Sequence, residues 1–143
     1  MIKVIKSSKY FILLCILMIS SISLSYGQGS RYTGTYKKSA PIEYTNKKNI
    51  VIEGFEINAT DSYCIVLWNC ENVIIRNSKF TTAPNIRAIY LNNCKNVTVI
   101  DSYFENVYEG VLAAGTTGNI KIEYNDFKNI RGQLDGGSYF ANA

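Results

Sequence analysis

Asn49-Ile-Val-Ile, Asn72-Val-Ile-Ile, Asn96-Val-Thr-Val and Asn119-Ile-Lys-Ile are one phrase written four times, at intervals of 23, 24 and 23 residues. A period of this length marks a solenoid, in which each repeat packs only on its neighbours. Used as a ruler, the Asn places other residues in columns. Seven and five residues before it stand Ile42 and Tyr44, Ile65 and Leu67, Ile89 and Leu91, Leu112 and Ala114. One and three residues after it stand Ile50 and Ile52, Val73 and Ile75, Val97 and Val99, Ile120 and Ile122. Each pair is two apart, the period at which a strand returns to the same face.

A third stretch in each repeat ends on Ile57, Phe80, Phe104 or Phe127, and Asn, Asp, Gly and Ser separate the stretches. Three short strands per turn, rising turn by turn, make an all-β parallel β-helix of about four turns. Equivalent positions in successive turns lie about 4.8 Å apart and therefore stack. Phe80, Phe104 and Phe127 are expected to form an aromatic stack inside the coil. The column Asn49–Asn72–Asn96–Asn119 is expected at a corner, where Asn tolerates a left-handed backbone and bonds its own chain or the next amide. Cys70 and Cys94 share one repeat position, so they form either a stack of reduced thiols or a disulfide between turns.

The chain has 143 residues, enough for one domain. Its first 27 residues combine a basic stretch (Lys3, Lys6, Lys9), an apolar run from Tyr10 to Ile19, and small residues ending in Ser25-Tyr26-Gly27. This is the pattern of a cleaved signal peptide, so no membrane span is expected after processing and the protein is expected outside the cytoplasm. Residues 28–39 form an irregular lead-in and 40–143 the coil. From Gln28 onward there are 12 basic and 11 acidic side chains, which gives no electrostatic case for nucleic acid. The absence of His removes the usual metal ligand and general base, and no metal or cofactor is expected for this chain.

The N-[IV]-x-[IV] phrase, followed by Asn77-Ser78-Lys79-Phe80 or Asp101-Ser102-Tyr103-Phe104, resembles the right-handed parallel β-helix repeat of the pectate-lyase-like superfamily. Gly34-Thr35-Tyr36 before Pro41-Ile42 is similar to the coil entry of exported bacterial members, implying a secreted, periplasmic or cell-surface location. The resemblance implies a carbohydrate-related role. Lyases of this superfamily use a Lys or Arg base with Arg or Ca²⁺ at the uronate carboxylate, and hydrolases use paired carboxylates. Here Glu53 and Arg76 share one repeat position, Lys121 precedes Glu123 on one strand face, and Arg87 and Glu109 hold nearly equivalent loop positions. None of these makes a catalytic constellation.

Outward Trp68 and Tyr90 are the better functional signal, with Arg76 and Arg87 as accompanying polar candidates for a carbohydrate-binding surface. A position beneath a loop or a further domain fits Trp68 equally. Three functions follow: a carbohydrate-binding solenoid without catalysis of its own, the N-terminal part of a lyase or hydrolase acting on acidic polysaccharide, or a structural, adhesive solenoid. Gly137 to Ala143 align with the start of a further turn, with Tyr139 at the Leu112 place. A fifth turn that stops before its Asn phrase suggests a longer protein, and open coil ends suggest self-association.

Overall fold

The computed structural model describes residues 29–132. The predicted leader at 1–27 and the incomplete fifth turn lie outside the described residues. Thirteen strands follow one another: β1 (Lys37–Ser39), β2 (Ile42–Thr45), β3 (Lys48–Glu53), β4 (Phe55–Ala59), β5 (Ile65–Trp68), β6 (Glu71–Arg76), β7 (Lys79–Thr82), β8 (Ile89–Asn92), β9 (Lys95–Ile100), β10 (Tyr103–Glu105), β11 (Val111–Ala114), β12 (Gly118–Glu123) and β13 (Asp126–Lys128). They form three sheets ordered β1-β4-β7-β10-β13, β11-β8-β5-β2 and β12-β9-β6-β3. Every pairing is parallel. The architecture is a right-handed parallel β-helix with three strands per turn. The lead-in read as irregular over 28–39 contributes one regular element, β1, which opens the first sheet by pairing Ser39 with Ile57.

The interior follows the columns. Ile57, Phe80 and Phe104 are fully buried in register with Phe127. Ring centroids lie 5.0 Å apart for Phe80–Phe104 and 4.7 Å for Phe104–Phe127. Ile65, Leu67, Ile89 and Leu91 fill the second wall, and Val73, Ile75, Val97 and Val99 the third.

The ruler fails once. Leu112 and Ala114 are not the counterparts of Ile89 and Leu91; Val111 and Ala113 are. The corner between β11 and β12 holds one residue more than the corner above it, with Gly115 at φ 63°. Counting back from Asn119 across this insertion displaces the strand by one residue. A one-residue shift exchanges the faces, so Leu112 and Ala114 take outward register positions, beside Tyr90 and Asn92.

Asn49, Asn72, Asn96 and Asn119 have φ between 54° and 57°, and the ladder skips them: Lys48 pairs with Glu71, then Ile50 with Val73. Each amide donates to the Asn of the preceding turn, at 2.9 Å (Asn72 to Asn49) and 3.0 Å (Asn96 to Asn72), and likewise from Asn119 to Asn96. The amides are exposed, so this is a surface ladder rather than an inward one. Cys70 and Cys94 are buried free thiols. Their Sγ atoms donate to the carbonyls two residues back, of Trp68 and Asn92, both at 3.4 Å. Ser78 and Ser102 do the same at the next corner, bonding the Arg76 and Ile100 carbonyls at 2.8 and 3.0 Å. The two cysteines thus take the bonding role that serine takes one corner on.

The lead-in crosses the later turns. Arg31 grips Asp101 through Nε and Nη2, both at 2.8 Å, and its guanidinium carbon lies 4.1 Å from the centre of the Tyr124 ring. The bidentate bond holds the Asp101 carboxyl below its usual range, against a smaller opposing effect of burial. A depressed carboxyl contributes fully above the unfolded value of about 4 and is lost as pH falls through the folded value. The clasp is therefore intact at neutral pH and opens in acid. Trypsin should cut after Arg31 faster in Asp101→Asn than in the wild type. NMR of Arg31 Nε should show the wild type reaching the mobility of that variant only below about pH 4. In the core, Phe104→Ala, which interrupts the aromatic stack, should cost about 3–5 kcal/mol in urea unfolding.

Candidate functional site

Alternation along β5 and β8 turns Ile65, Leu67, Ile89 and Leu91 into the core and sends Val66, Trp68, Tyr90 and Asn92 to the outside. The register pairs Val66 with Tyr90 and Trp68 with Asn92, so Trp68 and Tyr90 are diagonal neighbours on one outer face. Their ring centroids are 5.3 Å apart at an interplanar angle of 74°, an edge contact. Tyr63, in the loop before β5, stacks on the other side of Tyr90 at 5.1 Å and 26°. Tyr90 is thus the middle of a three-ring row, Tyr63–Tyr90–Trp68. The Asn92 amide donates to the Tyr90 hydroxyl at 2.8 Å and fixes it. All three rings remain partly exposed.

Two residues before the paired strands, Tyr63, Arg87 and Glu109 occupy equivalent places, because Ile65 pairs with Ile89 and Ile89 with Val111. Arg87 Nε is bonded to Glu109 Oε2, and its guanidinium carbon lies 5.2 Å from the centre of the Tyr108 ring. The bond to Glu109 stabilises the charged guanidinium, with desolvation opposing and Tyr63 adding a smaller favourable effect. The loop carrying Arg87 is closed by Thr82 Oγ1 donating to the Ile86 carbonyl at 2.8 Å. The Tyr108 amide then donates to that same carbonyl at 3.0 Å, stacking the next loop upon it.

The structure therefore joins Trp68, Tyr90 and Arg87 in one patch and leaves Arg76 out of it. Arg76 ends β6 on a different sheet, where it bonds Glu53 at 2.8 Å. Glu53 also accepts from the Asn77 amide at 2.9 Å, and the two donors, Arg76 first, lower its pKa. That column is a solvated cross-turn ion pair. Tyr63 and Tyr108 escaped the sequence reading because they sit in corners of unequal length. The position of Tyr63, two before the strand like Arg87, was the available signal. Among the described residues, no three His, Cys, Asp or Glu side chains are close enough to hold a metal ion.

Chemically, the row offers flat aromatic surface beside neutral amides and one neutralised ion pair. Two-carboxylate hydrolysis needs a second acid facing the first. Glu109 is already bound by Arg87, and the other carboxylate of this face, Glu43, lies three turns away. Trp68 is the sole tryptophan of the chain, so its fluorescence reports on the row alone. Tyr90→Ala should shift its emission to the red and increase its quenching by acrylamide. An unchanged spectrum would contradict the ring contact.

The chain matches the family described as right handed beta helix region over residues 19–142. It is 29% identical over 85 residues to an exopolygalacturonase of Arabidopsis thaliana, an alignment covering 57% of this chain and 20% of that protein. The chain thus spans about a fifth of the length of this curated relative. Among solved structures it is similar to a candidate glycosyl hydrolase from Parabacteroides merdae, with a TM-score of 0.50 and 20% identity over 63% of this chain and 39% of the other. The likeness at that identity concerns the fold. With the family match covering most of its length, this chain belongs to the right-handed β-helix family.

Proposed function

We propose that this chain is an exported, glycan-binding β-helix that holds sugar on the Tyr63–Tyr90–Trp68 row and does not cleave it unaided. The observation that carries the reading is the row itself: three partly exposed rings outside the core, with Tyr90 touching both Tyr63 and Trp68. Aromatic faces left at the surface and rimmed by polar groups suit the apolar C–H faces of sugar rings, while the adjoining amides suit their hydroxyls. The family's exopolygalacturonase and glycosyl hydrolase relatives support a carbohydrate role. Export rests on the three-part pattern of residues 1–27. Absence of cleavage by the chain alone rests on the two carboxylates of this face: Glu109 is ion-paired, and Glu43 lies three turns from it.

A second reading has specific support. The match to an exopolygalacturonase covers only 20% of that enzyme. On this reading the chain is the N-terminal part of a polysaccharide lyase or glycoside hydrolase acting on acidic polysaccharide, and the row is a binding surface within it.

Affinity electrophoresis through gels cast with plant and bacterial polysaccharides tests the main reading. Retardation by at least one polysaccharide is expected, reduced at least about 10-fold in association constant by Trp68→Ala or Tyr90→Ala, roughly the loss of one ring contact. Unchanged retardation in both variants would remove the row as the site. The same preparations should release no reducing ends and generate no unsaturated-uronate absorbance. Either signal would sink the non-catalytic reading in favour of the enzymatic one. The exported form should begin at Gln28 on N-terminal sequencing.

A further inference from the structure

We infer that the glycan held by the aromatic row is neutral rather than anionic. This rests on the reading of the row as a sugar-binding surface and narrows it. The four strands beneath the row read IEYT, IVLW, IYLN and VLAA, and contain no lysine or arginine. Their single charged residue is acidic, Glu43, in register with Val66 and through it with Tyr90. The neighbouring sheet β12-β9-β6-β3, by contrast, carries Lys48, Arg76, Lys95 and Lys121. The remaining sheet carries four lysines, Lys37 and Lys38 in β1, Lys79 in β7 and Lys128 in β13. Strand-borne cations are thus confined to the two faces that lack the row.

One cation does reach the patch, and it is taken. Arg87 is bonded to Glu109 and lies over Tyr108. Turning it toward a uronate carboxylate would leave Glu109 without that partner, beside a second negative charge. An anionic chain would have to shed water from its carboxylates against a face whose free strand charge is of the same sign, with no strand-borne cation to replace that water.

A neutral chain meets no such cost. The polar groups flanking the rings are amides that both donate and accept. Asn92 holds the Tyr90 hydroxyl, and Asn69, next to Trp68, donates to Asn46 at 3.1 Å. One turn on, Asn93 accepts from the Thr116 amide at 2.9 Å. This pattern of rings and uncharged amides matches hydroxyls rather than carboxylates. It runs against the expectation raised by the exopolygalacturonase relative, whose name specifies a polyuronate, and the two expectations are separable by measurement.

Calorimetric titration of the full exported chain with cello-, xylo- and galacto-oligosaccharides, and with oligogalacturonate and oligomannuronate of equal length, decides between them. At least one neutral oligosaccharide should bind about 10-fold or more tightly than either uronate, and its affinity should change less than about 2-fold between low and high salt. Tyr90→Ala should abolish that binding, and Arg76→Gln, on another sheet, should leave it within about 3-fold. Tightest binding by a uronate, weakening as salt rises and falling further in Arg87→Gln, would overturn the inference while leaving the row as a glycan site. Binding by none of the five would sink the underlying reading together with the inference.

Discussion

The in-register parallel ladder is the constraint on which the rest of this molecule depends. Once each strand bonds its counterpart in the next turn, every side chain sits about 4.8 Å from its repeat equivalent, and a column must be tolerable as a column. Apolar columns gain, as the Ile57–Phe80–Phe104–Phe127 stack does. Amides gain because each can donate to one neighbour and accept from the other. Where charges are adjacent in a column, they alternate in sign. The column Lys48–Glu71–Lys95 alternates in sign, as does Lys38–Glu56–Lys79, with Lys48–Glu71 at 2.7 Å and Lys79–Glu56 at 3.4 Å. Outer ion pairs of this kind are the consequence of stacking, which is why they are poor markers of a site.

Corners impose the second constraint. The chain must turn within one or two residues, and it does so through left-handed backbone at Asn46, Asn69 and Asn93, and at Gly54, Asn77, Asp101 and Tyr124. Asn, Asp and Gly adopt this conformation readily, but tyrosine does not. Tyr124, at φ 53°, is the residue over which Arg31 lies while gripping Asp101 one turn earlier. The lead-in thus ties down the corner whose residue is least suited to it. Inside the corners, the Phe55, Ser78 and Ser102 amides donate to Ser78 Oγ, Ser102 Oγ and Asn125 Oδ1 of the next turn. Among the described residues, no buried side-chain polar atom lacks a hydrogen-bond partner.

Most of this fold was legible because period and alternation are properties of sequence. The three strands per turn, the phenylalanine stack and the asparagine ladder all follow from counting. Counting fails where a corner changes length. The additional residue between Ala113 and Ile120 moved β11 by one place, and no composition signal at Gly115-Thr116-Thr117 distinguishes an insertion from a substitution. The site was legible in part for the same reason. Trp68 and Tyr90 lie on strands and could be assigned to one face. Tyr63 and Tyr108 lie in corners, where backbone direction depends on bonds such as Thr82 to Ile86 that no periodicity encodes. The exclusion of Arg76 required knowing which of three faces it occupies beside which neighbours, a property of the closed turn.

Core and site meet at one small-residue column. Cys64, Ala88 and Gly110 immediately precede the strands of the aromatic face, and all three are buried. Burial pushes the Cys64 thiol pKa up to about 12, so it behaves there as an apolar filler of modest size. The column narrows toward the later turns because the phenylalanine stack presses against it. A Cβ on Gly110 would lie 2.6 Å from Cε1 of Phe127 and 3.7 Å from Cδ1 of Phe104. Glycine at this position lets the backbone approach the stack closely, and Glu109 is the residue that arrives there first. Its carbonyl accepts from the Ala88 amide at 2.9 Å, which brings its side chain to Arg87. The ion pair that occupies Arg87 thus stands one residue from the position where the core rings leave no room for a Cβ.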